Sequence, residues 1–271
     1  MNYLAPCGIW APEYYDARGT QWLRSFFVGM LTTCGLQHFG NPKVINGEEL
    51  GLHGRISNTP AENIRYERGA KDQSPTVTVE GTMREGRIFG ENLTLHRKYE
   101  FGYEDDSISI TDTITNHGFG DRPFVYAYHL NYGYPLLEEG TKLFLDTLET
   151  KPREENAAKY FATWKEIEAP QYPYPERCYF HQVKRDPQGI CQYTLFNEKR
   201  KLGARVRYSG IDLPFFCEWK MLGKGEYVMG LEPMNIFLDG PKIGEEGCIA
   251  PVLGPGESKT YRIRIDFIDQ L

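Results

Sequence analysis

From Thr76 onward, apolar and polar residues alternate in short runs. Thr76-Val77-Thr78-Val79-Glu80-Gly81 is the first, Leu93–Phe101 the second and Ile108–Ile114 the third. Period-two alternation puts successive side chains on opposite faces, so each run predicts a half-buried strand. Glu104-Asp105-Asp106 and Asn116-His117-Gly118 read as turns between them. A fourth run, Phe124–Asn131, gives way to Gly133 and Pro135. Strands resume at Cys191–Asn197, Ala204–Tyr208, Phe215–Met221, Tyr227–Glu232 and Lys259–Phe267. Strands this close together predict antiparallel meanders, not strand–helix–strand units. The expected fold is all-β, a large antiparallel β-sandwich. No short repeat, low-complexity tract or composition break divides residues 1–271, so a single domain is expected.

The remaining segments are less regular. Trp22, Leu23, Phe26, Phe27, Met30 and Leu31 recur with helical spacing, while Gly29 and Thr32-Thr33-Cys34 signal a switch to extended chain. A short helix feeding a strand is expected there. Residues 41–74 read as loops and carry Leu52-His53-Gly54-Arg55. Within residues 147–188, Lys151-Pro152-Arg153-Glu154-Glu155-Asn156 reads as a solvated charged stretch. The prolines of Tyr172–Arg177 cannot donate to a ladder, which predicts a long ordered loop.

Composition narrows the function classes. The net charge is −6, and Lys and Arg are scattered, which argues against a nucleic-acid surface. No stretch approaches the length of a membrane span, and the first residues lack the pattern of a secretion signal. The six cysteines, at 7, 34, 178, 191, 217 and 248, include no Cys-x-x-Cys pair, so a thiolate zinc site is not expected. Dispersed cysteines in a chain of this size fit reduced, buried residues of a cytoplasmic protein. Tyr and Phe number 18 and 15; they pack cores first and also stack on sugar rings.

The candidate chemistry sits at strand ends and loops. His129 lies near the end of the fourth run, in Tyr126-Ala127-Tyr128-His129-Leu130-Asn131-Tyr132. Alone, it reads as a core histidine bonded to a carbonyl. Two other stretches shift the balance: His53-Gly54-Arg55, and Leu231-Glu232-Pro233, where the proline is expected to end the strand. Trp219 and Tyr227 on neighbouring runs suggest an aromatic wall. A carboxylate and an imidazole facing each other across a cleft can move two protons in concert. His38, His96, His117 and His181 read as structural or exposed.

The ordered motifs Leu52-His53-Gly54-Arg55, Tyr128-His129-Leu130-Asn131-Tyr132-Gly133-Tyr134-Pro135 and Leu231-Glu232-Pro233 resemble the galactose mutarotase (aldose 1-epimerase) superfamily, in its little-characterised bacterial aldose-1-epimerase-like branch. Trp22–Phe27 and Thr32–Gly35 resemble that branch too, and the likeness runs from about residue 8 to the C-terminus. It implies a β supersandwich, a sugar substrate, a place in carbohydrate metabolism and no cofactor. It also implies roles: Glu232 as the base at the anomeric hydroxyl, His129 as the acid at the ring oxygen, and His53 as the second active-site histidine. Glu232 is then expected to be ionised and His129 protonated. Arg55 would bind a sugar hydroxyl or an anionic substituent, with Arg177 a further candidate for the latter.

This sequence departs from the superfamily pattern in several places. No arginine motif precedes His53, so Arg55 is expected to serve instead. Glu176 stands in for the usual sugar-binding aspartate, and Asn131, Tyr134 and Trp219 are expected to line the cleft. Related chains carry extra strands before this one begins, so an open sheet edge is expected. Two other readings are a non-catalytic carbohydrate-binding protein and a metal enzyme built on His53, His129 and Glu232.

Overall fold

A computed structural model describes residues 1–8, 11–26, 29–45, 47–71, 74–103, 106–237 and 249–271. The expected turn at 104–105, Phe27 of the expected helix and Cys248 fall outside these residues. Two antiparallel sheets make the body. The six-stranded sheet has the order Leu31–Leu36, Val125–Tyr132, Tyr227–Met234, Phe215–Leu222, Arg177–Val183, Thr147–Pro152. The eight-stranded sheet has the order Lys142–Leu145, Ile190–Asn197, Leu202–Ser209, Ser258–Ile268, Ser107–Asn116, Asn92–Gly102, Ser74–Gly86, Glu62–Lys71. The expected β-sandwich is therefore the observed fold.

The main core lies between the sheets. On Val125–Tyr132, residues Tyr126, Tyr128, Leu130 and Tyr132 point into it and meet Leu95, Ile110, Val206 and Ile263 of the larger sheet. Ala127 belongs to a second, smaller cluster with Cys34, Cys178, Cys217 and Met234, which contains no residue of the eight-stranded sheet. The smaller sheet is thus covered on both faces, and almost all of Val125–Tyr132 is buried. Buried polar groups also tie the layers. Arg97 grips Asp112 with two bonds of 2.7 and 2.9 Å, and both bond the hydroxyl of Tyr126 across the core.

Some elements differ from the sequence reading. The helix is only four residues, Trp22–Ser25, before the strand Leu31–Leu36. Residues 41–74 are not all loop: Lys43–Ile45 pairs with Glu48–Leu50, and Glu62–Lys71 is an edge strand. Residues 62–70 of that edge are exposed. A strand with no buried face carries no alternation, and its charged side chains discourage further pairing. Thr147–Pro152 and Arg177–Val183 are also strands within the segment read as irregular. Pro233 does not end its strand, which continues to Met234.

Replacing Arg97 with Met should leave Asp112 buried without its cation. The expected loss of stability is about 3–5 kcal/mol, read as a lower urea midpoint. A midpoint within error of the parent would show that the Arg97–Asp112 pair contributes nothing to stability.

Candidate active site

The acid–base candidates are brought together by strand register. Tyr227–Met234 pairs with Val125–Tyr132 through Leu231↔Leu130 and again through Met234↔Ala127, in one unbroken register. Glu232 therefore stands opposite His129. No ladder pair is made between these two points on that side, where Pro233 has no N–H to give. Directly opposed side chains of an antiparallel pair are close enough to touch. Here His129 Nε2 lies 3.2 Å from Glu232 Oε1. Gly230, two residues before Glu232, makes room. A Cβ there would come within 2.7 Å of Glu232 Oε1, 3.1 Å of His129 Cε1 and 3.2 Å of Trp219 Cε3.

His53 reaches the pair from a tight loop. Its backbone has φ 59° and that of Gly54 has φ 75°. A Cβ on Gly54 would lie 2.2 Å from His38 O and 2.4 Å from Gly35 O, so only glycine fits. The loop is tied to the strand Leu31–Leu36 by a bond from Gly35 N to His53 O at 3.3 Å. His53 Nδ1 accepts from Gly40 N at 3.4 Å, which leaves the proton of the neutral ring on Nε2. The two imidazole centroids are 5.6 Å apart and perpendicular.

Around these groups is a cleft of about 280 Å³. Trp22, Leu23 and Phe26 form one wall; Trp219, Cys178 and Cys217 line another. Phe26 stacks on Trp22 at 4.1 Å and meets His129 edge-on at 5.5 Å. Trp219 lies 5.6 Å from His129, and its indole N–H donates to Glu176 at 3.0 Å. This covering leaves His129 and Glu232 only 4% and 3% exposed.

Burial decides where the protons sit. Loss of solvent lowers His129 to about 4. Loss of solvent raises Glu232 to about 8, with Arg153 pulling it down and Glu176 pushing it up. His53 is held well below the usual histidine range, first by burial and then by the neighbouring His129. Near neutrality the pair thus carries one proton, on Glu232, whose carboxyl lies beside His129 Nε2. This reverses the expected ionised glutamate and protonated histidine. The reason is that desolvation disfavours both charges at once.

Five sequence candidates meet in the cleft: His53, His129, Glu176, Trp219 and Glu232. Three do not line it. Arg55 turns away to pair with Glu48 at 3.2 Å. Asn131 is fully buried behind the site, where its amide donates to His129 O at 2.8 Å. Tyr134 lies in the loop after the strand, exposed beneath the guanidinium of Arg200. Arg177 is likewise excluded: it is buried between Tyr160 and Tyr174 and bonded to Glu168. The sequence reading missed Arg153, which lines the cleft from the stretch read as solvated. Pro152 closing a strand just before it was the available signal. Among the described residues, no three His, Cys, Asp or Glu side chains are grouped so as to hold a metal ion.

The chain belongs to the DUF4432 family, described as a domain of unknown function, whose profile spans residues 1–267. No curated protein matches it. A Klebsiella pneumoniae protein described as a candidate aldose 1-epimerase superposes with a TM-score of 0.92 at 23% identity, over 99% of this chain and 71% of that one. A galactose mutarotase-like protein from Clostridium acetobutylicum gives 0.66 at 12% identity, over 89% of this chain and 79% of that one. An Escherichia coli K12 candidate aldose 1-epimerase gives 0.54 at 15% identity, over 87% and 83%. At these identities the likeness establishes the fold, a galactose mutarotase-like β-sandwich. No helix among the described residues is long and apolar enough to cross a membrane.

The raised affinity of Glu232 for its proton links folding to pH. The folded chain binds this proton more tightly than the unfolded chain. That stabilisation is complete below the unfolded carboxylate value and is lost as pH rises through about 8. Glu232→Gln removes the dependence. The melting temperature of the variant, relative to the parent, should therefore climb between pH 5 and pH 8.5. A difference that stays flat would show that Glu232 is not held protonated.

Proposed function

We propose that this protein is a sugar mutarotase that binds an aldose or aldose derivative in the cleft and interconverts its anomers, with residues 1–271 acting as one domain. The observation that carries this reading is the buried imidazole–carboxylate contact of 3.2 Å inside a cleft of a mutarotase-like sandwich.

Ring opening removes the proton on the anomeric oxygen and delivers one to the ring oxygen. Glu232 takes the first and His129 gives the second. After opening, Glu232 is protonated and His129 neutral, which is the arrangement burial favours in the empty site. Rotation about the bond from C1 to C2 exposes the other carbonyl face. Closure then reverses both transfers: Glu232 returns a proton to the carbonyl oxygen, and His129 takes one from the attacking hydroxyl. Closure thus restores the starting pair with no net gain or loss of protons, and the reactive pair forms from the resting one by moving a proton from Glu232 to His129. His53 supports the sugar and the charge that develops on its oxygens, and Trp219 and Phe26 offer apolar faces to the ring.

The test is anomer-exchange NMR with neutral, phosphorylated and acidic aldoses. The parent should accelerate exchange for one class, and Glu232→Gln and His129→Asn should each lower that acceleration about 100-fold or more. Binding shifts without acceleration would replace this reading with a carbohydrate-binding protein. Because only the singly protonated pair can work, the rate should also be bell-shaped in pH. The limbs should fall near the shifted values, about 4 for His129 and about 8 for Glu232. A rate that keeps rising through pH 9 would remove protonated Glu232 from the cycle.

A further inference from the structure

We infer that Arg153 is a positioning residue for the acid–base pair, acting through charge: its guanidinium stabilises the ionised form of Glu232 from across the cleft. This rests on the mutarotase reading for its meaning, but not for its test.

The placement follows from four neighbouring strands. Thr147–Pro152 ends at a proline, and the next residue is pinned by a bond from Arg153 N to Cys178 O at 2.9 Å. The side chain then runs inward over the sheet, and its Nη1 lies 3.8 Å from Cys178 Sγ. Cys178 and Cys217 occupy the same sheet face, one opposite Trp219 and the other opposite Phe180. Both thiols are buried and belong to one apolar cluster. Cys217 is in turn the register partner of Glu232. Guanidinium, two thiols and carboxylate thus lie in sequence from the end of one strand across the next three, and the two end groups line the cleft.

The other groups around Glu232 cannot do the same work. His129 and His53 are kept neutral by burial. The neighbouring Cys178 thiol and then burial hold Cys217 protonated, and burial does the same for Cys34. Glu176 carries the same sign as the carboxylate and opposes its ionisation. Arginine stays charged throughout the working range. Arg153 is therefore the one permanent cation facing Glu232 among the described residues. Its attraction opposes the desolvation that raises Glu232, and so enlarges the ionised fraction able to accept the anomeric proton.

The experiment is a carboxyl titration by NMR on protein labelled with ¹³C at the glutamate side chain. The Glu232 signal is assigned by its loss in Glu232→Gln. In Arg153→Met the midpoint should rise by about one pH unit, while Arg153→Lys should stay near the parent. Arg153→Gln, which keeps a donor for Cys178, serves as a second neutral variant should the methionine protein not fold. Exchange kinetics with an active sugar should show a fall in kcat of about tenfold at pH 7 with KM little changed. An unmoved midpoint in a folded neutral variant overturns the inference. So does a raised KM with the midpoint unchanged, which would make Arg153 a sugar ligand. Failure of the parent to exchange any sugar would sink the mutarotase reading and leave the carboxyl titration standing.

Discussion

One strand register governs this molecule. Val125–Tyr132 and Tyr227–Met234 lie side by side in the middle of the six-stranded sheet. Their alignment sends Tyr126, Tyr128, Leu130 and Leu231 into the core between the sheets and sends His129 and Glu232 to the opposite face. A slip of one residue would exchange the two sets. It would bury the titratable pair in the main core and turn four large apolar groups outward. The packing of the core therefore enforces the geometry of the cleft. The short contact between imidazole and carboxylate is a by-product of a register that the tyrosines already require.

The second determinant is desolvation. Phe26, Trp22 and Trp219 close around the pair, and the site responds by shedding charge. A carboxylate and an imidazole in water would separate charge readily. In the cleft they hold a single proton between them. Such a site suits a reaction in which two protons move in opposite directions and the net charge never changes. The same arrangement would serve poorly for chemistry that needs a standing nucleophilic carboxylate.

Much of the fold was legible because most strands bury one face, and alternation reports that directly. It failed where burial was hidden. Arg177–Val183 carries Arg177 and His181 on a buried face, each beside an acid, Glu168 and Glu218, so buried polar groups masked the pattern. Glu62–Lys71 buries neither face and gave no pattern at all. In the site, His53, His129 and Glu232 were picked out by the ordered motifs that carry them, and the structure brings the three together. Arg55, Asn131 and Tyr134 were misplaced because chain position does not give side-chain direction. Arg153 was missed because a charged run looks solvated until a strand end is seen to turn it inward.

The division between strand-borne and loop-borne groups has a further consequence. The proton-transfer pair belongs to two central strands, where an inserted or deleted residue would wreck the core. Phe26, His53, Arg153 and Glu176 instead stand on loops or just beyond strand and helix ends, at the rim of the same cleft. Such segments tolerate changes in length and sequence. The reaction and the choice of substrate can therefore diverge separately. Lineages built on this sandwich can change what the cleft admits by remodelling the rim, while the two strands beneath stay fixed in step.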